Sequence, residues 1–317
     1  MNWITEENYE TRMHYEVEPY LAARRDSGFV ERIPGRSVYY EYYRADEPKG
    51  AIVVSHGFCE SIRKYSESIY YMLQAGYDVW GLDHHGHGRS YRMNGNPYVV
   101  HAERFEDYVL DLRYLTEARV KPAAGDLPVY LYGHSMGGCI SAWLIETYPD
   151  LFRKAVLTSP MLGLSFGRIP LPIVYIGASL KGIGENRKEP LNKVDSFPSE
   201  PDFENSCDSC ECRYLYYFKK RRADPMLQTQ EASISWGKQA VKACRRVCSE
   251  KQIARIRIPV LLFQAGNDSV VKNDSQDLFV SRLGCEMVKI PGMKHELYMT
   301  DSSVLIPYWE KIFAFFS

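Results

Sequence analysis

The residues Gly133-His134-Ser135-Met136-Gly137 follow the apolar run Val129–Tyr132 and precede a helical pattern over Cys139–Tyr148. A strand that turns this sharply into a helix leaves no room for side chains two residues before and two after the apex. Glycine stands at both places. Such a turn raises the Ser135 hydroxyl above the end of a sheet, at a helix N-terminus whose dipole favours a developing anion. The segment thus calls for a strand–turn–helix unit within a layered α/β fold, and it makes Ser135 a candidate nucleophile.

The rest of the chain agrees with that architecture. Ala51–Ser55, Asp78–Leu82, Ala155–Thr158, Val260–Phe263 and Glu286–Ile290 read as short buried strands, and helical stretches fall between most of them. Phe105, Tyr108, Val109, Leu112 and Leu115 trace one face of a helix. The alternation predicts an α/β fold with a mostly parallel central sheet and helices on both faces. From 161 to 229 the rhythm fails and proline recurs at 170, 172, 190, 198, 201 and 225. This stretch lies between two core strands and reads as an inserted cap, with the core formed by 1–160 and 230–317. Its opening is apolar but too short to cross a bilayer. Phe166 and Ile173 are its candidate substrate-lining residues.

Charge narrows the partners. Lys and Arg total 39 against 40 Asp and Glu, so nothing favours nucleic acid. The first twenty residues carry Glu6, Glu7, Glu10, Glu16 and Glu18 without an apolar leader, which points to the cytoplasm. Among the eight cysteines, Cys207, Cys210 and Cys212 have metal-like spacing but no histidine nearby. Cys244 and Cys248 share a helical stripe with Val241 and Val247, where cysteine acts as a small hydrophobe. No metal or cofactor is assigned. The basic run Lys219–Arg222 reads as solvated surface, with a phosphate contact as its functional alternative.

A serine hydroxyl needs a base, and the base an orienting carboxylate. In this architecture the chain order is serine, acid, histidine. Seven of the eight histidines precede Ser135, and only His295 follows it. Asp268, directly after the strand beginning at Val260, is the expected acid. Asp274 and Asp277 compete but fall in the next helical pattern. The backbone N–H groups of Met136 and Phe58 are the expected oxyanion donors.

These residues, with His56-Gly-Phe-Cys-Glu60, Tyr65, Asp83-His-His-Gly-His-Gly-Arg-Ser90, Phe105-Glu-Asp-Tyr108 and Ser159-Pro-Met161, also carry a likeness. The chain resembles the lysophospholipase/monoacylglycerol lipase branch of the α/β-hydrolase superfamily. That resemblance implies a serine esterase cleaving single-acyl lipids, with a small acyl ester or lysolipid as partner and transient membrane-surface contact through the cap. It also implies that His84, His85 and His87 pack beside the site without binding metal. The alternatives are a small-ester carboxylesterase, an aminopeptidase or a catalytically silent binding module. An aminopeptidase needs a carboxylate in the cap for the substrate's amino terminus, for which Glu200, Asp202 and Glu204 are the candidates.

Overall fold

The six apolar runs become strands because each is long enough to cross a buried layer. A computed structural model describes residues 1–165 and 184–317. Ten strands are present among them: β1 (Arg25–Glu31), β2 (Ser37–Tyr43), β3 (Ala51–Ser55), β4 (Asp78–Leu82), β5 (Val99–Val100), β6 (Val129–His134), β7 (Ala155–Thr158), β8 (Glu231–Ala232), β9 (Val260–Ala265) and β10 (Glu286–Ile290). Eight form one sheet in the order β1-β2-β4-β3-β6-β7-β9-β10; β5 and β8 pair separately. From β4 to β10 every pairing is parallel, whereas β1–β2 and β2–β4 are antiparallel. The mostly parallel sheet with helices on both faces is therefore present.

Every residue of β3, β4, β6, β7 and β9 is buried. A strand covered on both faces reads as a continuous apolar run, which is why these were legible. Alternate residues feed opposite cores. Val53, Leu131, Leu157 and Leu262 meet the helices Glu106–Leu115, Met136–Thr147 and Ile234–Val247. Ile52, Val54, Tyr132 and Phe263 meet Ser66–Gln74, Ser302–Phe316 and a broken helical stretch over residues 9–22. The antiparallel β1 and β2 went unread because β2 carries a buried charge: Glu41 lies in its middle, bound by Tyr39, Tyr43 and Arg63.

After β7 the chain leaves the sheet. Of this excursion residues 161–165 and 184–229 are described, so Phe166 and Ile173 lie outside the described residues. Its segment 207–210 rests on the loop of His295: Glu296 N donates to Cys207 O at 3.1 Å, Lys294 N to Ser209 Oγ at 3.0 Å and Cys210 N to Met299 O at 3.1 Å. The helix Glu211–Ala223 is bolted to the N-terminal stretch through fully buried Arg213, which donates to Glu67 Oε1 at 2.8 Å, Glu67 Oε2 at 3.0 Å and Ile4 O at 2.9 Å.

The basic run lies at the surface as expected, with Lys219 and Arg222 exposed and Lys220 and Arg221 half-buried, but each side chain has a partner. Lys219 pairs with Glu10 at 2.7 Å and Lys220 with Glu18 at 2.6 Å. Arg221 donates to Leu227 O at 3.0 Å and Arg222 to Ser199 O at 3.2 Å. Four like charges in sequence are thus divided between the N-terminal stretch and the excursion's own loops. Val241, Cys244 and Val247 are buried as the helical stripe requires, and Cys244 Sγ donates to Met161 O at 3.3 Å. Among the described residues no helix is long and apolar enough to cross a membrane.

Candidate active site

The turn between β6 and Met136–Thr147 holds Ser135 at φ 52° and ψ −117°, in the left-handed half of backbone space that costs a non-glycine residue about 1–3 kcal/mol. The flanking glycines permit it. A Cβ on Gly137 stands 2.0 Å from Ser55 O, and one on Gly133 stands 2.3 Å from Ser141 Oγ. The strained backbone aims Oγ away from the sheet, where Ser135 Oγ lies 2.8 Å from His295 Nε2. His295 Nδ1 lies 2.6 Å from Asp268 Oδ2. The other carboxylate oxygen, Oδ1, accepts from Val270 N at 2.8 Å and Val271 N at 3.0 Å.

The structure therefore brings Ser135, His295 and Asp268 into one hydrogen-bonded chain, buried at Ser135 and His295. Burial alone raises the Asp268 carboxyl, but the His295 contact and the two N–H donors hold it below its ordinary value. It is an anion with one free direction, toward the imidazole. The competing acids lie elsewhere: Asp277 pairs with Lys289 at 2.9 Å, and Asp274 is exposed. Met136 begins its helix, so its N–H has no partner within the helix. Phe58 stands on the loop after β3, its ring 4.2 Å from that of Trp236.

That loop is fixed by a group the motif reading quoted without a role. Glu60 Oε2 accepts from Gly57 N and from Tyr65 OH, both at 2.6 Å, while Oε1 accepts from Tyr298 OH at 2.7 Å. Burial opposes ionisation here, but the neighbouring Lys64 ammonium and these donors depress the Glu60 carboxyl far below its usual range. Lys64 reaches Glu60 at 3.3 Å and also contacts Glu296. Burial, with Asp208 alongside, pushes Glu296 up to about 8.

Two groups of side chains have the spacing of metal ligands among the described residues: Glu60, His134 and Glu296, and separately Glu6, Cys210 and Asp301. Each already holds a cation of the protein. Lys64 sits between Glu60 and Glu296, and the Arg213 guanidinium contacts Glu6 and Cys210. Of the metal-spaced cysteines, Cys210 and Cys212 place their sulfurs 3.4 Å apart, while Cys207 lines a cavity. In the histidine-rich loop His56 Nε2 accepts from His84 N at 2.8 Å and His84 Nε2 meets Ser55 Oγ at 2.9 Å, while His84 Nδ1, both ring nitrogens of His85 and His87 Nε2 meet no hydrogen-bond partner among the described residues. Burial lowers His56 to about 4.

The cavity, about 290 Å3, starts at Phe58 and Glu60 and is walled by Tyr214, Tyr217 and Phe218 of the excursion's helix. Glu200, Asp202 and Glu204, the sequence candidates for binding an amino terminus, are all exposed, and of the three only Asp202 reaches the cavity. The buried carboxylate of this segment is Asp208. Its neighbours come from elements up to 148 residues away in sequence, so no local pattern marks it.

A family model described as serine aminopeptidase, S33, matches residues 46–302. Lysophospholipase L2 of Escherichia coli (strain K12) is 29% identical over 275 residues, which is 83% of this chain and 74% of that protein. Monoacylglycerol lipase of Mycolicibacterium smegmatis is 25% identical over 296 residues, 90% of this chain and 95% of its own length. Among solved structures, the monoacylglycerol lipase of Paleococcus ferrophilus superposes with a TM-score of 0.68 at 22% identity, covering 88% of this chain and 97% of that one. Its likeness identifies the fold of this chain as that of the α/β-hydrolases.

Proposed function

Because the chain belongs to the serine aminopeptidase S33 family of serine hydrolases, we propose that it is a lipid esterase that cleaves single-acyl lipids, lysophospholipid or monoacylglycerol, through an acyl-enzyme on Ser135. The observation that carries the mechanism is the chain of contacts from Ser135 Oγ to His295 Nε2 (2.8 Å) and from His295 Nδ1 to Asp268 Oδ2 (2.6 Å). His295 accepts the hydroxyl proton as Oγ attacks the ester carbonyl, and Asp268 stabilises the imidazolium that forms. The N–H groups of Phe58 and Met136 receive the oxyanion. His295 then gives the proton to the leaving alcohol, and water repeats the sequence to release the fatty acid. The substrate class rests on the names of the similar proteins: lysophospholipase and monoacylglycerol lipase.

In this reading residues 161–229 form a cap over the mouth of the site, a single chain entering where two crowd, and the cap makes transient contact with a lipid surface. The protein works in the cytoplasm. A fluorophosphonate probe should label Ser135 in the wild type and fail with Ser135→Ala. Each acyl methylene buried contributes up to ~0.8 kcal/mol, so kcat/KM should climb from acetyl to at least octanoyl esters. A profile that peaks at acetyl removes the lipid assignment. A peptidase reading has the family description in its favour, and aminoacyl 4-nitroanilides test it directly.

A further inference from the structure

The cavity beside Phe58 combines aromatic side chains with a buried group of carboxyls: Glu60, Asp208 and Glu296 line it, with Lys64 as a cation among them. Asp208 is only 5% exposed, and its Oδ1 meets no hydrogen-bond donor. Its hydrogen-bonding neighbour is Glu296, and two carboxyls pair only by sharing a proton. Lys64 is already committed to Glu60 and Glu296. Burial raises the Asp208 carboxyl, with Lys64 only partly offsetting it. Methylenes packed there would seal off a carboxyl oxygen that has no donor, which is costly. A cation would complete the cluster.

The aromatic lining suits the same guest. Tyr214 and Phe218 line the cavity with ring centroids 6.1 Å apart, and electron-rich ring faces attract ammonium groups. Arg221 lines the same cavity over the Phe197 ring, 4.8 Å away; two of its N–H groups already donate to Leu227 O and Thr229 O, which leaves its remaining N–H groups to meet a phosphate. Carboxylates, rings and a guanidinium thus line a space of about 290 Å3 that begins at the loop bearing Phe58.

Resting on the esterase reading above, we propose that this cavity receives the head group of the leaving alcohol and selects zwitterionic lysophospholipids, with the choline or ethanolamine ammonium held by Asp208 and Glu296 and the phosphate facing Arg221. The test compares four decanoyl substrates as monomers: lysophosphatidylcholine, lysophosphatidylethanolamine, lysophosphatidylglycerol and monodecanoylglycerol. The choline or ethanolamine lipid should exceed lysophosphatidylglycerol in kcat/KM by about tenfold, and Asp208→Asn should shrink that ratio toward one. Whichever of the two zwitterionic lipids leads identifies the head group. Equal rates for cationic and glycerol head groups overturn the inference while leaving the esterase intact. If no lipid is turned over, the esterase reading itself fails. The cavity is then judged by calorimetry of wild-type protein with decylphosphocholine and decylphosphoglycerol, where equal affinity overturns the inference. That measurement also decides the matter if Asp208→Asn does not fold. Faster cleavage of aminoacyl 4-nitroanilides than of any lysolipid overturns it too, by assigning the carboxylates to a peptide amino terminus.

Discussion

Replacing Asp268 by asparagine tests the proposed mechanism at its least obvious joint, because the surroundings dictate which way the new amide must face. Oδ1 accepts two backbone N–H groups, from Val270 and Val271. An amide NH2 placed there would oppose two donors, each left unsatisfied at about 1–3 kcal/mol. The amide oxygen therefore takes the Oδ1 position with a preference of roughly 2–6 kcal/mol, and the NH2 faces His295 Nδ1 across the 2.6 Å contact. Nδ1 must then accept, so the ring proton moves to Nε2, which lies 2.8 Å from Ser135 Oγ and can no longer take its proton. Shape and burial hardly change, so the fold should persist. The wrong tautomer in a serine–histidine–aspartate system costs about 10⁴-fold in kcat, or roughly 5 kcal/mol of barrier. Steady-state hydrolysis of a p-nitrophenyl ester, with active-site titration to count competent protein, measures it. A variant within tenfold of wild type would refute the argument, either because the amide turns freely or because Asp268 is not the orienting acid.

Lys64→Met strips the cation that pairs with both Glu60 and Glu296, beside Asp208. It should lower stability by about 3–5 kcal/mol at pH 8 and by less at pH 5, where the carboxyls take up protons; a pH-independent change in thermal unfolding would contradict this. His134 is buried and held down to about 3, chiefly by burial, with the Glu60 charge partly opposing. The unfolded chain binds a proton near pH 6.5 that the folded state refuses, so this stability is complete above pH 6.5 and drains as pH falls toward 3. The advantage of wild type over His134→Asn in urea unfolding should shrink by about 3 kcal/mol between pH 7 and pH 4, and a constant difference would count against it. Gly137→Ala drives a Cβ to 2.0 Å from Ser55 O and 2.4 Å from Ser55 C, both backbone, so active protein should be lost; normal yield and activity would mean β3 yields more easily than its burial implies.

What the sequence disclosed depended on how local the governing physics is. The buried parallel strands announce themselves as apolar runs, and the turn at Ser135 needs its glycines within five residues. Asp268 and His295 followed from an order rule once Ser135 was chosen, and the structure sets them in contact. Strand β2 stayed hidden because Glu41 is satisfied by Arg63, which arrives from another element. Glu60 was quoted in a motif, yet its grip on Gly57 N is visible only in three dimensions. Asp208 and the pairing of Lys219 and Lys220 with Glu10 and Glu18 depend on partners far off in sequence, so residue pattern carries no trace of them. The candidates Phe166 and Ile173 fall outside the described residues.

The bond between Arg213 and the N-terminal stretch has a consequence for how the chain is made. Ile4, Tyr9, Met13, Val17 and Leu21 are all buried in the finished protein, and Arg213 reaches back across 207 residues to Glu6. A ribosome adding about 5–20 residues per second needs roughly 10–40 s to deliver that arginine after the first helical turns emerge. For that interval the N-terminal stretch is a greasy, acid-rich tail waiting for its anchor. Nascent chains should therefore display this segment to chaperones and proteases until the helix Glu211–Ala223 leaves the exit tunnel.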